Sequence, residues 1–413
     1  MQAEIITIGD ELLIGQVIDT NSAWLGQTLN RAGIRIKRIN SVSDDASEIV
    51  NQLEDCLKRS ELIIITGGLG PTKDDITKKT LASYFKMGWR EDADVLKQLE
   101  ELFAKRGRVM IEANRQQAML PDGCKTLINN WGTAPGMWFE IDGKIIISMP
   151  GVPYEMKNIF EHVAMPLITS RFKQPTLYHK TLVTINIPES LLALKIEGIE
   201  DSLPKHIKLA YLPNWNIVRL RLTGSQQDNL DIKSEIDSYA KQITDLIPEN
   251  IVSEEDLSME EVVSNLLRSK KQTLSLAESC TGGYLAHLMT RLPGSSKIFT
   301  GSVVSYAYEA KTIELGVPEE LLLTKGAVSE EVVTIMSEAI RKKLGTDYSI
   351  AISGIAGPDG GTTEKPVGTV WISVSSADKT ITELRHFPGD RINIIGRTAN
   401  IALDNLRRLI LES

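Results

Sequence analysis

Cysteine is scarce. The chain of 413 residues holds three, Cys56, Cys124 and Cys280, an odd number with no C-x-x-C spacing. A disulfide frame or a structural zinc site needs paired or clustered thiols. Both are therefore excluded, and reduced thiols in a cytoplasmic protein are expected. Long apolar runs are missing too. None approaches the roughly 18 residues that would span a bilayer, so a soluble protein with no membrane partner is expected. Met1 to Ile8 run directly into a strand-like pattern, without a basic stretch ahead of an apolar one, and no secretory signal is expected. Positive charge is in deficit. The formal net charge is -8, the pI is near 5.4, and no Lys/Arg-rich run is present. That weighs against a nucleic-acid partner and toward a small-molecule enzyme. The rest, 42% hydrophobic and 24% charged, is ordinary globular composition, long enough for two or three cores.

From the N-terminus, strand and helix patterns alternate. A short buried strand over 4–8 ends in Gly9-Asp10-Glu11. Asp19-Thr20-Asn21 offers capping side chains to a helix reaching about Arg31, with Gly33 as its stop. Residues 34–39 read as a strand, 44–59 as an amphipathic helix, and the fully apolar 62–66 as a parallel-sheet strand. The βαβαβ order predicts an α/β, doubly wound sheet with its site at the carboxyl ends of the strands. Two loops lie there: Gly9-Asp10-Glu11, and Thr66-Gly67-Gly68-Leu69-Gly70 continuing to Asp75. A third small-residue loop is Gly132-Thr133-Ala134-Pro135-Gly136. Glycines after a strand let the backbone approach a phosphate closely. Gly9, Asn21, Gly67, Gly68, Gly70, Gly132 and Thr133 are thus candidate phosphate or nucleotide contacts. Asp10, Glu11, Asp44 and Asp75 offer oxygen ligands for a hard divalent cation. The same glycines and acids also serve as plain turn and capping devices. Asp142-Gly143, between two strand-like runs, predicts a hairpin, and a helix is expected over 154–170.

Thr66-Gly67-Gly68-x-Gly70 with Asp75 resembles the signature of the molybdopterin-binding MoaB/MogA domain. Gly9-Asp10-Glu11-Leu12-Leu13-x-Gly15, Asp19-Thr20-Asn21, Asn114-Arg115-Gln116, Gly132 to Gly136 and Pro150-Gly151-Val152-Pro153 narrow the likeness. Together they resemble the amino-terminal domain of the CinA (competence/damage-inducible) family. That resemblance implies a metal-dependent pyrophosphatase that splits ADP-ribose into AMP and ribose 5-phosphate. Magnesium, manganese and cobalt all suit oxygen ligands, and K+ is a further candidate. A competing reading keeps this domain nearer its molybdopterin relatives, as a pterin-binding or adenylyl-transfer domain.

Lys173 to Thr176 read as a boundary after a first domain at 1–172, and a small α+β segment follows at 176–250. Its strands are expected over 178–185, 206–212 and 217–222, its helices over 188–196 and 226–246, with Asn214-Trp215-Asn216 as a turn. In the family this piece resembles a KH-like module. It has no GxxG clamp loop with basic flanks, so a spacer or dimerisation role is expected rather than RNA binding. His179 and His206 have no second histidine at metal spacing.

The third domain, 256–413, opens on an N-cap pattern, Ser258 with Glu261 at N3. Its centre is Leu274-Ser275-Leu276-Ala277-Glu278-Ser279-Cys280-Thr281-Gly282-Gly283. This reads as a buried strand, a Gly-Gly turn and a helix from about Tyr284. It sets the Ser279 hydroxyl beside backbone N–H groups at a helix start. With Tyr306 and Lys311 downstream, the pattern suggests a serine nucleophile activated by lysine rather than histidine. Cys280 is the rival nucleophile, and Ser279 as a plain helix cap is the simpler alternative. Ala277 to Gly283, Tyr306 to Lys311, Ser353 to Pro358 and Gly389-Asp390-Arg391 resemble the CinA carboxyl-terminal domain, shared with stand-alone nicotinamide mononucleotide (NMN) deamidases. The resemblance implies conversion of NMN and water to nicotinate mononucleotide and ammonia, with no cofactor. On that reading Ser279 attacks, Lys311 is the base and Tyr306 relays the proton or orients Lys311. Thr281 and Gly282 hold the oxyanion, and Glu278 orients Lys311 or binds ribose. Gly354, Ala356 and Gly357 line the ribose-phosphate side, and Arg391 pairs the phosphate. The family resemblance also implies a homodimer. A non-catalytic scaffold in DNA uptake or damage response is the reading of another class.

Overall fold

The computed structural model describes residues 1–72, 74–171, 177–225 and 231–413. It divides into two compact units. One holds Met1–Tyr178 with Ser225–Ile232, the other His179–Gly224 with Lys233–Ser413. The boundary expected at 173–176 and the first turn of the helix expected at 226–246 fall outside the described residues.

In the first unit the strands are β1 (Gln2–Ile8), β2 (Arg35–Val42), β3 (Leu62–Thr66), β4 (Trp89–Glu91), β5 (Met119–Pro121), β6 (Lys125–Leu127), β7 (Gly136–Ile141) and β8 (Lys144–Met149). Six form one sheet in the order β2-β1-β3-β8-β7-β6. The pairs β1/β2, β1/β3 and β3/β8 are parallel, while β7 and β6 run antiparallel at the far edge. The apolar run of β3 is explained by burial on both faces. Ile63 and Ile65 enter one core with Leu53, Val95 and Phe139, and Leu62 and Ile64 enter another with Leu25, Trp138 and Phe160. Asp142 and Gly143 both hold positive φ, 49° and 76°, and turn β7 into β8 as expected. The helix expected over 154–170 is present and runs from Pro153 to Arg171, with a π segment in its middle. Pro153–Ile159 and Met165–Arg171 are joined by a π turn at Phe160–Ala164. Pro166 follows directly, and its missing N–H cannot continue the α ladder.

The second unit carries two sheets. The smaller consists of β9 (Leu177–Ile185), β10 (Ile207–Asn214), β11 (Ile217–Ser225) and β12 (Ile251–Ser253), in the order β10-β11-β9-β12, with helices Glu189–Asp201 and Ile232–Leu246. The larger consists of β13 (Leu274–Glu278), β14 (Phe299–Val304), β15 (Tyr348–Gly354), β16 (Thr369–Ser375) and β17 (Thr380–His386), in the order β14-β13-β15-β16-β17. β13 runs parallel to both β14 and β15, and β16 and β17 return antiparallel. Helices Met259–Lys270 and Arg391–Glu412 cover one face, and Glu330–Leu344 packs Val333, Met336 and Ile340 against Ala277 and Ala351 on the other. Ser258 and Glu261 close the expected capping box. The chain leaves β13 toward β14 on one side and reaches β15 on the other. The carboxyl end of β13 is therefore a topological switch point, where α/β sheets open a crevice.

Candidate active site

Three parallel strands end side by side, and each delivers a functional group to the crevice. β13 leads into Ser279, β14 into Ser305 and Tyr306, and β15 ends at Gly354. Lys311 comes from the first turns of helix Tyr308–Leu315, directly after β14. Its side chain is fully buried, and its Nζ donates to Ser279 Oγ at 3.0 Å, to the Ser305 carbonyl at 2.6 Å and to the Tyr306 carbonyl at 3.1 Å. Burial drives the Lys311 pKa from the usual 10.5 down to about 8. About a tenth of the amine is thus neutral at pH 7, in contact with a serine hydroxyl. Cys280 is the opposite case. Burial pushes its thiol up to about 12, so the rival nucleophile stays protonated.

Tyr306 and Arg391 sit together but away from the lysine amine. Arg391 Nη2 donates to the Tyr306 hydroxyl at 2.9 Å, and Nη1 to the Gly357 carbonyl at 2.8 Å. Tyr306 thus orients Lys311 through its carbonyl, while its hydroxyl, on an exposed side of the site, accepts from the arginine. Glu278 makes no hydrogen bond to Lys311. Its carboxylate, 1% exposed, accepts from the N–H groups of Gly283 and Leu285 at 3.1 Å and of Ala286 at 2.8 Å. It caps the start of helix Tyr284–Thr290. Gly282 does not offer its N–H to an oxyanion: that group donates to the Ser279 carbonyl within the turn. Among the described residues, the N–H groups of Cys280 and Thr281 are the ones in this turn without a backbone or side-chain acceptor. Gly354, Ala356 and Gly357 join Ser279, Tyr306, Lys311 and Arg391 around a cavity of about 230 Å³. At Gly354 a Cβ would sit 2.7 Å from Val370 Cγ2, so only glycine lets the strand end lie flat against β16.

The first unit assembles its expected residues only in part. Gly67 holds φ 117°, and a Cβ there would sit 2.3 Å from the Ile8 carbonyl oxygen, which explains the glycine after β3. Asp75 accepts from Gly70 N at 2.7 Å and Thr72 N at 2.8 Å, and from the Thr72 hydroxyl. Its carboxylate therefore folds the glycine loop. Asp10, Glu11 and Asp44 share another neighbourhood. Asp10 N donates to Asp44 Oδ2 at 3.1 Å, and burial, with the charges of Asp10, Glu11 and Asp74, raises the Asp44 pKa. Among the described residues no group of three or more His, Cys, Asp or Glu forms a ready metal cage. Asn21 donates to the Gly151 carbonyl at 2.7 Å, and with Thr66 and Glu11 lines a cavity of about 110 Å³. Gly9 N donates to the Val42 carbonyl at 3.1 Å. At Gly132 a Cβ would collide with the Glu155 carboxylate, so the loop of Gly132 and Thr133 packs on that acid. Gly70, Thr72 and Asp75 line a larger cavity of about 360 Å³ with Lys78, Lys79, Trp89 and Gln116. Burial, and then Lys79, lower the Lys78 pKa to about 8, and its Nζ donates to the Gln116 carbonyl at 3.0 Å.

Family models match three consecutive stretches. The probable molybdopterin binding domain matches residues 4–170, the damage-inducible protein CinA KH domain 179–253, and the CinA C-terminal domain 256–410. A CinA-like protein of Cytophaga hutchinsonii is 46% identical over 410 residues, which cover 99% of this chain and 98% of that one. The chain belongs to the CinA family. A CinA-like protein of Flavobacterium psychrophilum is 43% identical over 417 residues, covering 100% and 99% of the two chains. Among solved structures, the protein CinA of Thermoplasma acidophilum is 34% identical, covers 40% of this chain and 97% of its own, and superposes with a TM-score of 0.37. Within this CinA-family chain, several site groups carry no sequence signal. The Ser305 carbonyl and the Cys280 N–H are backbone groups, which any residue type supplies. Lys78 could have been found, as a cation placed one residue after the Thr77 that opens a helix behind the glycine loop.

Among the described residues no helix is long and apolar enough to cross a membrane.

Proposed function

We propose that the β13 crevice hydrolyses an amide by serine–lysine chemistry, and that its substrate is NMN. The observation that carries this reading is the 3.0 Å contact between Ser279 Oγ and the buried Lys311 Nζ. Neutral Lys311 takes the Ser279 proton as Oγ attacks the carboxamide carbon. The oxyanion is met by the free N–H of Thr281, with that of Cys280 beside it. Lys311 then returns the proton to the leaving nitrogen, and ammonia departs. Water repeats the cycle on the ester, releasing nicotinate mononucleotide and the free serine. Arg391, preset by Gly357 and Tyr306, offers its fork to the phosphate. Ammonia release from NMN should vanish in Ser279→Ala and persist in Cys280→Ala. Full activity in Ser279→Ala would refute the assignment.

For the first unit we propose a nucleotide pyrophosphatase acting on ADP-ribose. The observation favouring it is the cavity that joins the Asp75-folded glycine loop to the two lysines and Trp89. Magnesium in nucleotide sites takes one or two carboxylates and completes its shell from substrate phosphate and water. Asp44, crowded by Asp10 and Glu11, suits such a partial set, and the cation would neutralise diphosphate charge. Release of AMP from ADP-ribose, abolished by chelation and restored by magnesium, manganese or cobalt, is the expected result. Tight binding of molybdopterin without ADP-ribose turnover would favour the pterin reading instead.

A further inference from the structure

A second cavity adjoins the catalytic turn, and neither Ser279 nor Lys311 lines it. It encloses about 360 Å³, and its walls include Trp215, Thr281, Gly283, Tyr284, Ile392 and Ile395. Ser279 and Cys280 line the catalytic cavity, and the next residues of the turn line this one. Helix Arg391–Glu412 connects the two in the same way, with Arg391 at the first and Ile392 and Ile395 at the second. Such a volume lies within the range of small-ligand sites.

The cavity is built, not incidental. Trp215 stands at the tip of the β10–β11 hairpin with φ 54°, a conformation that bulky residues rarely adopt. Two contacts hold the tip. Asn400 Nδ2 donates to Asn216 Oδ1 at 3.0 Å. A Cβ at Gly396 would sit 2.4 Å from the indole ring. Glycine weakens a helix interior relative to alanine, and here its lack of a side chain seats the tryptophan. One polar group waits without a partner. Thr281 is 4% exposed, and its Oγ1 makes no hydrogen bond. Lysine, arginine, aspartate and glutamate are absent from the lining, which holds one imidazole, His287, so neither a lysine nor an arginine is there to pair a phosphate.

We propose that this cavity binds a planar nitrogen heteroaromatic ring without a phosphate, stacked on the Trp215 indole with its polar edge at Thr281 Oγ1. Nicotinamide and adenine share that chemistry, and stacking on an aromatic accepts either. The proposal is independent of amide hydrolysis, because its readout is binding, not turnover.

The test is saturation-transfer NMR and calorimetry on the full-length chain, with nicotinamide and adenosine as separate probes. At least one should bind saturably. Trp215→Ala should weaken it about tenfold or more, the size of loss seen when a base-stacking aromatic is removed, and Trp215→Phe should hold it within about threefold. Thr281→Val should weaken it several-fold. Binding should also persist in Ser279→Ala saturated with NMN. Absence of binding by both probes, equal affinity in Trp215→Ala, or displacement by NMN would each overturn the proposal. If Trp215→Ala does not fold, Trp215→Phe and Thr281→Val decide: retention in the first with loss in the second supports the site, and any other pair of results sinks it.

Discussion

Lys311 is held in balance by two opposed effects. A pKa lowered from 10.5 to about 8 corresponds to about 3 kcal/mol against the ammonium. Lys311→Met would relieve that cost. It would also leave the Ser305 and Tyr306 carbonyls without their donor, at about 1–3 kcal/mol for each buried group. Stability at pH 7 should therefore change little, while NMN deamidation falls by about a thousandfold or more, as for a lost activating base. The pH dependence follows with a definite sign. The neutral amine is the active form, so kcat/KM should rise as pH increases through about 8. In stability, the folded chain has released a proton that the unfolded chain keeps up to 10.5. Wild type should thus gain stability over Lys311→Met as pH rises from about 8 toward 10.5, measured by denaturant unfolding at each pH. An activity profile flat across this range would remove Lys311 as the base. The residue types of this centre were legible, because a serine before two glycines with a lysine downstream is a chemical pattern. The partners were not. Nothing local reveals that Tyr306 gives Lys311 its carbonyl and Arg391 its hydroxyl, since those contacts depend on how two loops meet.

At the scale of the element, the turn between β13 and helix Tyr284–Thr290 depends on Glu278. Beside a nucleophile an acid looks catalytic, but period two along β13 and full burial direct it under the helix, where it satisfies three N–H groups. Glu278→Gln replaces a charge-assisted acceptor with an amide whose NH2 faces those donors. The expected cost is about 2 kcal/mol, with a fall in Tm of about 2–4 °C per kcal/mol. Deamidation should drop with it, because the same turn places Ser279. A variant with unchanged Tm would show that the cap contributes nothing. Elements with strong local chemistry were readable from sequence: the Ser258–Glu261 box, the Asp142-Gly143 hairpin and the apolar β3. Helix Glu319–Lys325 was not, being a short turn between Pro318 and Gly326. Nor was strand order. Only the pairing of β13 with both β14 and β15 brings Ser279, Ser305 and Gly354 to one edge, and pairings between distant segments leave no local periodicity.

Across the whole molecule, two units each carry separate cores, and each has its own candidate site. Chains of this kind need not unfold in one step. Ligand binding adds stability only to the unit that holds the ligand, by about 2.7 kcal/mol at a hundred times its Kd. Scanning calorimetry of full-length Ser279→Ala, which binds NMN without consuming it, should show NMN raising one transition and ADP-ribose with a divalent cation raising the other. The catalytic counterpart uses single substitutions. Asp75→Asn removes an acceptor from the loop that it folds through Gly70 and Thr72, so ADP-ribose hydrolysis should collapse. Ammonia release from NMN should stay within about twofold, because sites without shared partners act additively. Ser279→Ala should give the mirror result. If either substitution abolished both activities, or either ligand raised both transitions equally, the two centres would be one coupled machine, and the separate-site reading would have to be abandoned.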